Sequence, residues 1–384
     1  MTPLRFVCPF CPIHCDDLSP RNDTQWEHGC ERLSELWQHS LSHDREAESP
    51  ELASVEKAVR WVAEARSIVI TGQIVDLDTA RAVRRFADQT HATLLMDPRR
   101  DDYFAEPFGT RGGILTTLGD AAAGHQTMIL IGDPEAAWPR FRQRVRGVKK
   151  LITWTNTCGV ARRLAELRRQ LRPALPSLAP HLTDPDLAAT AEAIREAEGI
   201  VFFVEPKVAA AECARTLWAS VGGLISDLNS SRRATLLRFD PQMTMRSVFA
   251  WTQERAAQHT READAIRDGE ILRQGEEVDL AVILSPWPTK SEGTADPSEY
   301  WERTIGLRWQ HQITIGQRTI TATAGQGLEW QPSRLHLPAS TPGVSHSGVV
   351  IRGDGSVTLP LFVGAETALP AASAWLDQLV GKKT

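Results

Sequence analysis

The sequence predicts an α/β protein built mainly on parallel sheet, and two features of its text point there. Short apolar, β-branched runs alternate with stretches whose apolar residues recur at helical spacing. Strands that alternate with helices pair in parallel, joined by right-handed crossovers. A third feature stands outside this alternation. Cys8, Cys11, Cys15 and Cys30 are crowded ahead of it, leaving only Cys158 and Cys213 for the rest of the chain.

Residues 1–48 read as a short, polar, cysteine-bearing segment with a helix near CERLSELWQHSLSH. In SPELASVEKAVRWVAEARS, the residues Ala53, Val55, Ala58, Val59 and Val62 mark one helix face. SIVITG is a buried strand ending at Gly72, and DLDTARAVRRFADQT a helix opened by Asp76 or Asp78, whose short carboxylates suit an N-cap. ATLLMDP is the next strand. After the glycine-rich PFGTRGGILTTLGD comes TMILIGDPEAAWPRFRQRV, again strand, turn and helix. The alternation continues through strand KKLITW, helix VARRLAELRRQL and the proline-rich break RPALPSLAPHLTDPD. Helix LAATAEAIREAE, strand GIVFFVEP, helix VAAAECARTLWASVG and strand RATLLRF follow. VDLAVILSP is a further strand, RTIGLRWQHQITIGQRTITATAG reads as β, and LPAASAWLDQLV is the last clear helix.

A chain of 384 residues predicts two or three domains. Its 48 acidic and 43 basic residues give a net charge of −5, too mild to imply a nucleic-acid partner or an anionic membrane surface. No apolar run approaches the roughly 20 residues of a membrane-spanning helix, and the opening MTPLRFVCPF has no apolar leader core. The expected address is the cytoplasm, where thiols stay reduced and clustered cysteines read as metal ligands before disulfides.

CPFCPIHC and Cys30, behind Gly29, have the spacing Cys-x2-Cys-x3-Cys-x14-Cys. Three thiolates on one loop and a fourth from the next turn of chain suit a [4Fe–4S] cluster, because soft sulfur donors match iron. Pro9 and Pro12 stiffen the loop. Zinc is an alternative, with His14 or His28 replacing a thiolate, although zinc prefers two paired knuckles and the second pair is absent. The motif of radical enzymes has the two short spacings in the reverse order. A relic loop that no longer binds metal is the last alternative.

A four-cysteine segment leading into α/β sheet resembles the molybdopterin-dependent oxidoreductases. CPFCPIHCDDL, LTTLGD with GDPEAAWPR, and GVVIRGDG, in that order, most resemble the B-type subunit of formylmethanofuran dehydrogenase. Two relatives share this subunit: the archaeal dehydrogenase, and the formyltransferase/hydrolase complex of methylotrophic and related bacteria, which moves formyl groups from tetrahydromethanopterin to formate. The resemblance implies a small N-terminal Fe–S-type domain plus two Rossmann-like α/β domains of the molybdopterin oxidoreductase type. Carried onto this chain, the boundaries are 1–48, a discontinuous domain of 49–105 with 250–384, and an inserted domain of 106–249.

In the dehydrogenase a cysteine or selenocysteine ligates tungsten or molybdenum ahead of a TLGE-like segment. The corresponding DPRRDDYFAEPFGTRGGILTTLGD has no cysteine, and none occurs between Cys30 and Cys158. Asp101 or Asp102 would offer only hard oxygen. The departure favours the bacterial complex, with this chain as a non-catalytic structural subunit, other subunits as its partners, and no molybdopterin guanine dinucleotide expected. The alternatives are an active molybdenum or tungsten oxidoreductase subunit and a stand-alone zinc or iron–sulfur protein.

Gly72 and the pair Gly132–Asp133 stand where a strand gives way to a helix, a place for cofactor phosphates, but no G-x-G-x-x-G accompanies Gly72, which favours a plain tight turn; the resemblance implies that Gly132–Asp133 lies near the pterin nucleotide, so an emptied pocket is expected there. Cys158 is expected to be a small buried filler. Arg140, Arg142, Arg144, Arg146, Lys149 and Lys150 read as a solvated helix face or a contact with an acidic neighbour subunit. His39 and His43 read as an exposed polar pair. Trp287, Trp301, Trp309 and Trp330 suggest a partner surface, since tryptophan anchors interfaces.

Overall fold

The computed structural model describes residues 5–22, 25–95, 114–124, 127–171, 185–205, 208, 214–251, 278–287, 308–317 and 333–381. The chain divides into two compact units, Met1–Asp97 with Asp240–Thr384, and Pro98–Phe239.

In the first unit β1 (Ser19–Pro20) and β2 (Trp26–Glu27) form a small antiparallel pair and lead into α1 (Glu31–Glu46) and α2 (Leu52–Glu64). Strand β3 (Ile68–Gly72), helix α3 (Leu77–Thr90) and strand β4 (Thr93–Leu95) follow. The second unit begins with β5 (Leu115–Thr116), α4 (Leu118–Gly124), β6 (Thr127–Ile131), α5 (Pro134–Ala137) and α6 (Phe141–Arg144). It continues with β7 (Lys150–Trp154), α7 (Val160–Leu171), α8 (Pro185–Glu196), β8 (Gly199–Val204), α9 (Ala214–Leu228) and β9 (Arg233–Leu237). The first unit resumes with α10 (Met243–Trp251), β10 (Val278–Ser285), β11 (Trp309–Gly316) and β12 (Ser333–Leu337). It closes with β13 (Gly348–Ile351), β14 (Thr358–Leu361) and α11 (Ala372–Leu379).

The first unit's sheet runs β12-β11-β10-β3-β4, and every pairing is parallel. Taken in order of appearance, its strands lie 2-1-3-4-5, a doubly wound arrangement. Such strands are buried on both faces and so read as continuous apolar runs. On one face Ile68, Ile70, Leu280, Val282, Leu284, Ile313 and Ile315 pack beneath residues of α2, α3, α10 and α11. The other face carries Val69, Ala281, Ile283 and Trp309. Helix α3 shows why the sequence breaks where it does. The Asp76 carboxylate accepts the Thr79 N–H at 2.9 Å to start it, and His91 in the left-handed conformation (φ 57°) ends it.

The second unit's sheet runs β5-β9-β8-β6-β7, also parallel throughout. One face buries Ile129, Ile131, Ile200, Phe202 and Val204 against α7, α8 and α9. On the other, Phe203 meets Trp138 and Phe141, which in turn pack on Phe239. Trp154, fully buried, donates its indole N–H to Thr190 at 3.0 Å.

The β-type text near residues 303–325 contributes the parallel strand β11, and its tryptophan faces inward. Trp309 is 1% exposed and Trp287 is 7% exposed, stacked edge-on against Phe10 at 5.4 Å. These two therefore belong to the core and not to a partner surface; Trp301 and Trp330 lie outside the described residues. Among the described residues no helix is long and apolar enough to cross a membrane.

Helix α1 is fastened to the unit by a buried carboxylate. Asp44 accepts hydrogen bonds from the Thr341 N–H (2.9 Å), the Thr341 hydroxyl (3.2 Å) and the Ser345 hydroxyl, with His43 Nδ1 at 3.0 Å. Its own backbone carbonyl takes the Thr367 hydroxyl at 2.6 Å. Asp44→Ala strands these buried donors, and we expect a loss of about 2–4 kcal/mol in urea unfolding. A loss under about 0.5 kcal/mol, the level of an ordinary surface change, would contradict this account.

Candidate functional site

The cysteine loop is a tight hairpin set in apolar packing. Phe6 N–H bonds to the Leu18 carbonyl and Cys8 N–H to the Cys15 carbonyl, both at 2.9 Å. The turn between them is closed by His14 N–H on the Cys11 carbonyl (3.0 Å), with His14 held at positive φ (44°). Phe10, Ile13 and Leu18 anchor the hairpin inside. His14 itself is buried, donates Nδ1–H to the Cys8 carbonyl at 3.0 Å, and has its pKa lowered to about 4, chiefly by burial. Cys8 and Cys15 are buried; Cys11 and Cys30 are half-buried, Cys30 standing as the N-cap of α1.

Burial first, then the nearby Cys11 and Cys15, push the Cys8 thiol well above its ordinary range, with a further contribution from Cys30. Burial likewise raises Cys11, opposed by the Arg32 guanidinium. The four thiols thus share one neighbourhood, and as a donor set they fit a thiolate-loving metal. Among the described residues, however, no three His, Cys, Asp or Glu side chains stand in an arrangement that would hold a metal ion. The donors suit a cluster; their present placement is not that of a closed site.

The motif IRGDG proves to be the brace of this loop. It is the turn between β13 and β14, and the Gly353 N–H donates to the Pro12 carbonyl at 2.8 Å. Arg352 reaches Asp16 at 2.8 Å, and the Gly353 carbonyl accepts the Asp240 N–H at 2.8 Å. Two motifs at opposite ends of the text are therefore one piece of structure.

In doubly wound sheets ligands enter at the carboxyl ends of the strands, where neighbouring connections diverge. In the first unit that point lies between β3 and β10. Gly72 (φ 118°) approaches β10 so closely that a Cβ would fall 2.1 Å from the Leu284 carbonyl oxygen, which also accepts the Gln73 N–H at 2.9 Å. Gly72 is thus required by strand packing. The residues after it, Gln73, Asp76 and Thr79, line a crevice together with Ser285 and Ser340. The start of α3, where a phosphate would otherwise sit, carries the Asp76 carboxylate.

In the second unit the divergence lies between β6 and β8. A Cβ on Gly132 (φ 98°) would meet the Glu205 side chain at 2.4–2.6 Å, and Glu205 Oε2 accepts the Asp133 N–H at 2.8 Å. The place reserved for an anion is filled by the chain's own carboxylate. Helix α5 behind it spans four residues, too short to present an N-terminal field. Glu205 carried no sequence signal: a glutamate after an apolar strand has no fixed offset from the glycine that it meets.

Several other expectations change. Cys158 is exposed and not a buried filler, because it lies in the turn before α7, where Asn156 Oδ1 accepts its N–H at 3.1 Å. Arg140 is buried and holds Gln143 at 3.1 Å, while Arg142 pairs with Glu135 at 3.0 Å, so the basic run is not one solvated face. His43 Nδ1 lies 3.0 Å from the Asp44 carboxylate. Asp101, Asp102 and Cys213 lie outside the described residues.

No protein-family model matches the chain, and no curated protein does so either. Among solved structures it is similar to a chain of the formyltransferase/hydrolase complex FhcABCD from Methylorubrum extorquens, determined in complex with methylofuran. The two share 18% identity with a TM-score of 0.62, over 88% of this chain and 96% of that chain. At that identity the likeness establishes a common α/β fold.

Two outcomes follow from this geometry. Glu205→Ala leaves the Asp133 N–H without its partner and should cost about 1–3 kcal/mol in denaturant unfolding; an unchanged midpoint would show that the carboxylate is not seated there. His346, whose Nδ1 lies 2.9 Å from the Ser340 hydroxyl, has its pKa lowered, chiefly by burial, against the raising effect of Asp76 and Asp44. The unfolded chain then takes up that proton more readily, so this contribution to stability is complete above about pH 6.5 and declines as the pH falls below it. His346→Asn should flatten the fall in melting temperature between about pH 7 and pH 5; identical profiles would count against the assignment.

Proposed function

We propose that this chain is a subunit of a formyltransferase/hydrolase-type complex of one-carbon metabolism, and that its part is to hold the assembly together rather than to carry out redox chemistry. The observation that carries this reading is a coincidence. The fold follows a chain of such a complex along nearly its whole length, while both points at which a nucleotide cofactor would enter hold a carboxylate, Asp76 in one unit and Glu205 in the other. A phosphate beside a desolvated carboxylate is repelled by several kcal/mol at short range. The lack of any cysteine between Cys30 and Cys158 supports the same reading, since a dithiolene-bound heavy metal would lose its soft protein ligand there.

In this proposal Cys8, Cys11, Cys15 and Cys30 would hold a [4Fe–4S] cluster. When bound, it would supply a four-point cross-link between the hairpin and the start of α1. The chain's own contribution to that end is the brace from the Gly353 turn, whose N–H holds the Pro12 carbonyl of the loop.

The test is co-expression with companion subunits, anaerobic purification, and metal analysis. We expect the chain to co-elute in fixed ratio with its companions and to contain ~4 Fe with no molybdenum or tungsten. Pterin-bound molybdenum or tungsten would overturn the scaffold reading, and a free monomer in the presence of companions would overturn membership of the assembly. Cys8→Ser should remove most of the iron while leaving the β3–β10 sheet folded, as read by circular dichroism.

A further inference from the structure

The crevice at the carboxyl ends of β3, β10, β11 and β12 contains oxygens that the fold does not satisfy. Asp76 is 2% exposed; its Oδ1 accepts the Thr79 N–H at 2.9 Å, while Oδ2 is buried with no partner among the described residues. Thr79 Oγ1 and Gln73 Oε1 are also buried and without partners among those residues, and all three side chains line this one crevice. Its cavity volume is about 10 Å3, room for one water-sized particle.

The positive end of α3, which Asp76 caps, offsets its charge only in part. Asp76 forms no ion pair among the described residues, and a buried carboxylate without a counter-charge costs several kcal/mol. The imidazole of His346 feels Asp76, Asp44 and Asp78, but burial holds it towards the neutral form, so it does not supply the missing positive charge.

We propose that this crevice is a site for a dehydrated monovalent cation of potassium or ammonium size, held by the Asp76 carboxylate with the oxygens of Gln73 and Thr79. A hard cation takes carboxylate, amide carbonyl and hydroxyl oxygens, which is the set assembled here. One carboxylate matches one charge; a calcium-like ion, although smaller than potassium, would call for more carboxylate ligands than the single one here. The same carboxylate turns phosphate away, so the place that accepts an anion in nucleotide-binding sheets of this topology has the opposite preference.

The experiment compares thermal unfolding of the full chain in potassium, ammonium, sodium and choline chloride at equal ionic strength. Melting should be ~2–4 °C higher in potassium or ammonium than in choline, which is too large for the cavity. Asp76→Asn keeps the helix cap, since asparagine caps as well as aspartate, and should abolish that difference. Gln73→Leu, outside the helix, should raise the potassium concentration at half-effect several-fold, and this variant decides the matter if Asp76→Asn does not fold. Equal melting temperatures in all four salts would mean that a water fills the cavity and would overturn the proposal, as would a salt preference that survives in both variants.

Discussion

A single buried carboxylate fastens helix α1, and with it Cys30 at its start, to the rest of the first unit. Asp44, on α1, gathers hydrogen bonds from Thr341 and Ser345, while Thr367 bonds its carbonyl. Without those bonds α1 would rest on the rest of the unit through apolar contacts such as the Trp37 ring against Gly364, which attract without fixing orientation. Hydrogen bonds to an ionised group are roughly twice as strong as neutral ones and are directional. The thiol of Cys30 is therefore positioned through Asp44, and the hairpin of Cys8, Cys11 and Cys15 through the Gly353 turn.

The two sheets solve the same problem twice and differ at the same point. Each is parallel, buried on both faces, and open at the carboxyl ends of its strands. In the second unit Glu205 closes the opening by folding against Gly132. In the first unit Asp76 remains part of an open crevice with acceptors to spare. Both carboxylates accept a backbone N–H, but Asp76 keeps a second buried oxygen without a partner among the described residues, and this contrast separates a seat that is filled from one that still attracts a partner.

Most strands and helices were legible because the physics that forms them is local. GIVFFV is apolar throughout and VDLAVILS is so apart from Asp279 and Ser285, as befits strands covered on both faces, and the spacing of Val83, Phe86 and Ala87 marks the inner side of α3. Helix α10 was not legible: MTMRSVFAW is short, follows Pro241, and takes its start from Asp240, whose side chain accepts the Gln242 N–H at 2.8 Å. Strand β12, SRLHL, has too few apolar residues to announce itself and exists because β11 offers it an edge. The grouping of the four cysteines was visible as spacing. Its brace was visible only as the unexplained IRGDG, since no local rule connects residue 353 with residue 12. Asp44 and Glu205 were silent for the same reason: a carboxylate's partner in the tertiary structure leaves no periodicity in the chain.

The discontinuity of the first unit has a consequence for how the molecule is made. The central strand β10 pairs with β3 on one side and β11 on the other, yet β3 ends at residue 72 and β10 begins at residue 278. As the polypeptide leaves the ribosome, β3 and β4 emerge with one edge unpaired, and the entire second unit is synthesised before the strand that covers that edge appears. The second unit, whose pairings are all internal to residues 115–237, can fold on the way. The apolar pair β3–β4 must wait, exposed to wrong partners during translation, which makes the first unit the point of vulnerability in biogenesis.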